Sequence, residues 1–306
     1  MLGQILGHIV THLVIPFSIY GVLWRARFKT RVDWLFMGLI SLCYTVYIYL
    51  SGRWDWLGYP LRNVLLLFFA ISLIRSIFQN RAIPFFVPRL PAWNFVYFIQ
   101  TFVILLFGSL AFFAFQGTQP PPDRVSLAFP LKHGTFYVAQ GGNSAILNYH
   151  HLSESPRFAL DITRLQDWGR RASGIFPGDP THYYIYGDTV FSPCDGVVFV
   201  VQDSLPDLFT NQVDTAHIAG NYVGIRFEQY NVFLAHLQPY SIQVKVGDTV
   251  RVGQPLGRVG NSGATSEPVL HIHVEQGSQA DILSRPGVPI AFNGRFLVRN
   301  DRVVIP

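Results

Sequence analysis

The stretch VGNSGATSEPVLHIHVEQG, residues 259–277, sets His271 and His273 in alternation with apolar residues, directly after a run of turn-forming ones. Residues two apart on a strand point to one face of a sheet, so a strand here presents both imidazoles together and turns Leu270, Ile272 and Val274 the other way. That is the pattern of a core-backed strand whose open face carries ligand chemistry. The next position back in the same row is Val269, so the row stops at two imidazoles.

Outward from this stretch the texture is the same back to about residue 124. GTFYVAQGG, RFALDI, DTVFSPCDGVVFVVQD and NYVGIRFEQYNVFLAHL are brief β-like runs separated by Gly, Asp, Pro and Asn. Such runs predict an all-β domain, an antiparallel sandwich or partly closed barrel of the barrel-sandwich-hybrid kind. VGIRFEQYNVFLAHL reads as a hairpin turning at Gln229 to Asn231, and VKVGDTVRVGQPLG as two strands about a Gly-Asp turn. The same pattern suits a biotinyl or lipoyl carrier, which needs a lysine at an exposed hairpin tip. Lys245 is read as mid-strand, which argues against a carrier.

Before residue 117 the chain is different. Half of the 306 residues are hydrophobic and only 13% charged, and the excess lies in four apolar stretches: Ile5–Trp24, Trp34–Leu50, Tyr59–Phe78 and Phe95–Phe115. Each approaches the length that crosses a bilayer core as a helix. Arg62 and Arg75 bracket a short third stretch and are expected to snorkel. Arg25, Arg27, Lys29 and Arg31 fill the first loop and Arg81 and Arg89 the third, which places those loops in the cytoplasm and the C-terminal domain outside. The opening MLGQILGH lacks a basic leader, so a retained helix is expected. His8 and His12, four apart, read as local hydrogen-bonding groups or a metal pair. The net charge of +5 is carried by these loops and reports topology, not nucleic-acid binding. Domain limits follow: a transmembrane region at 1–116, a Pro-rich linker at 117–123, and a β domain at 124–306.

The chemistry lies in that domain. Asp161 ends RFALD, His236 ends VFLAH, and His271 and His273 share the last strand. One carboxylate with two or three imidazoles suits zinc, with a position left open for water. A further histidine outside the ligand set can carry a proton or stabilise an oxyanion. His133, His182 and His217 read as hydrogen-bonded structural residues. RLQDWGRRASGIFPGDPTHYYIYG, residues 164–187, reads as a surface excursion whose Trp168, Tyr183, Tyr184 and Tyr186 either line a cleft or cap the core.

Taken in order, RFALDI, YGDTVFSPCDGVV, LAHLQPYSIQVKVGDTVRVGQPLGRVGNSG and SEPVLHIHVE resemble the lysostaphin or LytM-type zinc metallopeptidases, which cleave peptide cross-links of bacterial cell walls. The resemblance implies that Asp161 and His271 bind zinc and that His236 assists. Two positions depart from it. Arg157 stands where the first ligand is expected and Val269 where the catalytic histidine is expected; neither side chain can do that work. His150 can restore the missing ligand if AILNYHH and RFALDI form a hairpin. Alternatively, a slip of two residues makes His271 and His273 the pair, followed by Glu275, with strand faces unchanged. The expected metal set is His150, Asp161 and His271, with His236 and His273 as catalytic groups. The implied protein is a membrane-anchored zinc endopeptidase acting on peptidoglycan outside the bacterial cytoplasmic membrane. Two alternatives stand beside it: a degenerate domain that binds wall or activates a partner wall enzyme, and a membrane sensor or scaffold.

Overall fold

A computed structural model describes residues 2–87, 92–277 and 284–306. The chain forms two compact units. One comprises residues up to Trp54 with Tyr59–Gln116, and the other Asp55–Gly58 with Gly117–Pro306.

Among its described residues the first unit holds four helices long and apolar enough to cross a membrane: Gly3–Arg25, Arg31–Ser51, Leu61–Gln79 and Phe95–Gly117. At a rise of 1.5 Å per residue they span roughly 28–35 Å, close to a hydrocarbon core of about 30 Å. The first helix widens into a π turn at Val10–Val14. Pro16 follows within it and has no N–H for the carbonyl four residues back, which favours such a local adjustment. The second helix starts on a capping box in which Thr30 and Asp33 satisfy each other's backbone N–H. Arg62 bonds the Tyr49 carbonyl at 3.0 Å and Arg75 the Trp24 carbonyl at 3.3 Å, so both guanidinium groups are held by the ends of neighbouring helices. His8 and His12 bond the carbonyls of Gln4 and His8 and stack at 5.3 Å.

Among its described residues the second unit has thirteen strands: β1 Val125–Leu127, β2 Gly134–Gln140, β3 Leu160–Leu165, β4 Thr189–Phe191, β5 Gly196–Gln202, β6 Asn221–Phe227, β7 Tyr230–Leu237, β8 Thr249–Val250, β9 Pro255–Arg258, β10 Leu270–Gln276, β11 Gly287–Val288, β12 Ile290–Phe292 and β13 Arg302–Ile305. The main sheet runs β13-β2-β3-β10-β7-β6-β5-β8, with β11 also on β10, and its pairs are antiparallel. Two small sheets, the antiparallel β4-β9 and the parallel β1-β12, complete the architecture. The β6–β7 turn falls at Glu228–Gln229, one residue earlier than the sequence suggests. The first arm of VKVGDTV is not a strand: Lys245 donates its N–H to Asp248 Oδ2 at 2.9 Å and is exposed.

Alternation separates the two faces of the main sheet. Leu160, Ile162, Val223, Ile225, Val232, Leu234, Leu270, Ile272 and Val274 belong to one buried cluster with Val190, Leu256, Ile290 and Phe292 of the small sheets. That layer is the core. Asp161, Phe233, Ala235, His271, His273 and Glu275 occupy the intervening positions, so they project from the opposite face.

Candidate metal centre

β10 lies between β3 and β7, and its register sets His271 directly across from Asp161 on one side and Ala235 on the other. Directly opposed residues of an antiparallel pair share a face at close range. His271 Nδ1 accordingly stands 2.9 Å from Asp161 Oδ1. The sheet alone therefore juxtaposes a carboxylate and an imidazole.

His150 arrives from outside the sheet. The expected hairpin is not formed; Tyr149–Leu152 is a single 3-10 turn started by Asn148, whose side chain accepts the His150 N–H at 3.2 Å. This Asx cap aims the imidazole at β3, where Nε2 lies 3.1 Å from both oxygens of Asp161. The neighbouring Tyr149 hydroxyl donates to Asp161 Oδ2 at 3.2 Å. Sequence reasoning assigned Tyr149 no role, although its place beside His150 after a capping asparagine was the available signal. Arg157 lies away from this cluster, exposed, with its guanidinium 3.2 Å from His151 Nε2. Val269 precedes β10, is buried, and does not line the cavity described below.

His236 is placed by a bulge. β6 and β7 pair Tyr222 with Ala235 and Asn221 with Leu237, which leaves His236 extra, at φ 62°. An extra residue in one strand re-aims its side chain, here out of the ladder and into the cavity. Its Nδ1 donates to the Ser262 carbonyl at 2.9 Å. That carbonyl comes so near the preceding loop that a Cβ on Gly220 would stand 2.3 Å from it. Gly220, itself at φ +62°, is required by this close approach.

The resulting cavity of about 550 Å³ is lined by Tyr149, His150, Ser155, His236, His271 and His273, among others. Trp168 and Tyr183, Tyr184 and Tyr186 do not line it. Tyr183 is buried, Tyr184 and Tyr186 donate their hydroxyls to Asp167 and Asp207, and Trp168 is exposed.

The donor atoms of His150, Asp161 and His271 lie within 4.8 Å of one another. Donors at about 2.1 Å from tetrahedral zinc stand about 3.4 Å apart, and the separations of 2.9 and 3.1 Å within the cluster need only a small widening to reach that. Burial disfavours charge on Asp161, but the His150 charge and hydrogen bonds from both imidazoles outweigh it and hold the carboxyl well below its usual range. Burial lowers His271 to about 3, against the pull of Asp161, so this imidazole is neutral and keeps a lone pair. Burial likewise lowers His236 and His273.

Behind His271 runs a buried polar row. His271 Nε2 is 2.9 Å from His273 Nδ1, His273 Nε2 is 3.5 Å from Glu275 Oε1, and Ser155 Oγ donates to that same oxygen. With the His271 proton on Nδ1, His273 must donate through its own Nδ1, and its Nε2 is left bare, facing a carboxylate. The buried His273 Nε2 indeed lacks a hydrogen-bond partner here. With the Nδ1 lone pair given to a cation, Nε2–H of His271 donates to His273 and Nε2–H of His273 points to Glu275. The second arrangement puts a proton between each pair, so the donor set and its backing both fit a divalent metal.

Residues 183–282 match the model of peptidase family M23. The chain carries an M23 peptidase domain. The matched span contains His236, His271 and His273, whereas His150 and Asp161 precede it. Among solved structures, this domain is similar to lysostaphin, at 18% identity over 42% of this chain and 40% of that one, TM-score 0.26. It is also similar to a putative M23 peptidase of Pseudomonas aeruginosa, at 18% over 51% and 48%, TM-score 0.29. A third is the catalytic domain of the prophage-encoded M23 protein EnpA of Enterococcus faecalis, at 26% over 41% and 86%, TM-score 0.24. The chain thus spans less than half the length of the first two. No curated protein matches it.

Proposed function

We propose that this protein is a membrane-anchored zinc metallopeptidase that cuts peptide cross-links of peptidoglycan on the outer side of the bacterial cytoplasmic membrane. The observation that carries this reading is the convergence of the donor atoms of His150, Asp161 and His271, two of whose imidazoles line one cavity, in a chain whose residues 183–282 match the M23 model. These three side chains hold the metal. Zinc, when bound, supplies Lewis-acid polarisation of a carbonyl and activation of water.

The other groups act on the substrate's side. His236 has Nδ1–H committed to the Ser262 carbonyl, so a neutral ring offers its Nε2 lone pair to the cavity and can take a proton there and return it to a leaving amine. Tyr149 donates to Asp161 and lines the cavity, where its hydroxyl can turn to a developing oxyanion. His273 acts through His271, fixing which nitrogen of that ring carries the proton. The four apolar helices hold the domain at the membrane, and the excess of basic residues in the first and third loops supports the outward orientation.

One observation favours a second reading. Val269 occupies the position of the expected catalytic histidine and is buried away from the cavity. A domain that keeps the metal and the groove but hydrolyses nothing would bind wall peptide or activate a partner wall enzyme. Metal content and cleavage of isolated cross-linked wall peptides, measured on the full chain in detergent, separate the cases. About one zinc per chain, lost in His271→Ala, with cleavage, supports the peptidase. Zinc without cleavage supports the binding module, and zinc retained in His271→Ala overturns the ligand set.

A further inference from the structure

The first and third helices of the helical unit, Gly3–Arg25 and Leu61–Gln79, end side by side. Arg75 Nε donates to the Trp24 carbonyl at 3.3 Å, and Gln79 Nε2 to the carbonyls of Arg25 and Ala26 at 3.3 and 3.1 Å. At this junction opens a cavity of about 970 Å³ whose lining includes Trp24, Arg25, Arg27, Ile74, Arg75 and Phe78. That is near the upper end of the volumes that bind small molecules.

Its two kinds of wall are distinct. Three guanidinium groups supply the charge, and the Arg75 group is held 4.6 Å from the centre of the Trp24 ring, so its fork is fixed before any ligand arrives. Ile74 and Phe78, 54% and 67% exposed, supply an apolar wall. No carboxylate lines the cavity among the described residues. Nor can the helical unit readily provide one. Its sequence contains a single acidic residue, Asp33, whose Oδ2 accepts from the Thr30 N–H and hydroxyl and whose Oδ1 accepts from the Tyr97 hydroxyl. The counter-charge must come from outside the unit.

We propose that this cavity binds an anionic phospholipid, its phosphate received by Arg25, Arg27 and Arg75 and the start of an acyl chain by Ile74 and Phe78. Planar guanidinium groups engage phosphate oxygens in pairs, and basic recesses between membrane helices are suited to phosphorylated head groups. A free phosphate satisfies the arginines but leaves the apolar wall unused, and a zwitterionic lipid brings a cation into a recess that already holds three. The inference rests on the membrane reading of the four helices and is independent of the metal centre.

The test uses the full chain purified in a neutral detergent, with native mass spectrometry counting lipid retained after mixed micelles of phosphatidylglycerol or phosphatidylcholine are supplied. Retention of phosphatidylglycerol is expected to exceed that of phosphatidylcholine, and the triple change R25Q/R27Q/R75Q to weaken it by roughly 100-fold, at about fivefold per arginine. Should that variant misfold, R25K/R27K/R75K keeps the charge and loses the paired bonds, and an intermediate loss is expected. Arg81→Gln removes one charge from the same loops without touching the cavity; a loss equal to that of Arg27→Gln would reduce the effect to general surface charge and overturn the site. Equal retention of both lipids, or displacement of phosphatidylglycerol by millimolar inorganic phosphate, overturns it too. Release of the chain from membranes by alkaline carbonate would instead refute the membrane reading.

Discussion

The most demanding consequence concerns Arg171, a guanidinium with 1% of its side chain exposed. Its Nε donates to Glu267 Oε2 at 2.6 Å and lies 3.7 Å from Asp55 Oδ2, and its carbon sits 4.0 Å from the Trp56 ring centre. Asp55 and Trp56 come from the loop between the second and third helices, yet belong to the β unit. Arg171→Met keeps most of the volume and removes the cation that two buried carboxylates face. Breaking a buried pair by deleting one partner costs about 3–5 kcal/mol, and loss of the cation–π contact with Trp56 adds to it. Cys194 provides the assay: it is buried in the β core, and burial, helped by Asp195, pushes its thiol up to about 12, so it reacts only when the core opens. In a Cys43→Ser background, maleimide labelling of Cys194 at pH 7 should rise roughly 150-fold or more in Arg171→Met, at one decade per 1.4 kcal/mol. Asp55→Asn, which weakens the longer of the two carboxylate contacts to Arg171, should raise it about fivefold. A rise of less than threefold in Arg171→Met would refute the argument that this cation holds the domain together.

Three further outcomes are expected. His273→Leu should weaken zinc retention against a chelator by roughly 10–100-fold, while His273→Asn, whose side-chain oxygen can accept from His271 Nε2, should recover most of it; equal losses would assign His273 to packing against Phe233 alone. His236→Ala should lower peptide cleavage by about 100-fold or more with metal content unchanged, and loss of metal would move His236 into the ligand set. Burial raises Asp207 above the ordinary carboxylate range, opposed by hydrogen bonds from the Asn261 N–H and the Tyr186 hydroxyl. Its contribution to stability is therefore fully present below its unfolded value, near 3.9, and lost as pH rises through the folded one. Thermal melts should show Asp207→Asn faring better against wild type at pH 7 than at pH 4, and a difference independent of pH would refute the assignment.

How much of this was legible in the sequence depends on what fixes each residue. The four apolar helices and the β-rich domain follow from composition and alternation, signals that survive without tertiary contacts. The row His271, His273 and Glu275 likewise follows from a period of two. Asp161 could be named as a ligand from the sequence, but its position opposite His271 is a register, and register depends on which strands pair. Arg171 gave no signal, because its partners Asp55 and Glu267 lie far away in the chain on opposite sides of it.

His150 and His236 show why spacing alone misleads at such a site. A ligand four residues before Asp161 requires the chain to approach β3 in extended form, and the residue there, Arg157, turns outward to His151. His150 reaches the same carboxylate from eleven residues away because Asn148 bends the backbone into a 3-10 turn. His236 faces the cavity because β7 carries one residue more than its partner, an irregularity that the run VFLAH itself does not announce. A metal constrains the positions of donor atoms and not the route of the chain that brings them. Loss of a motif residue therefore removes a site only where no neighbouring backbone can deliver an equivalent atom, and on the proposed reading the turn at Asn148 delivers one.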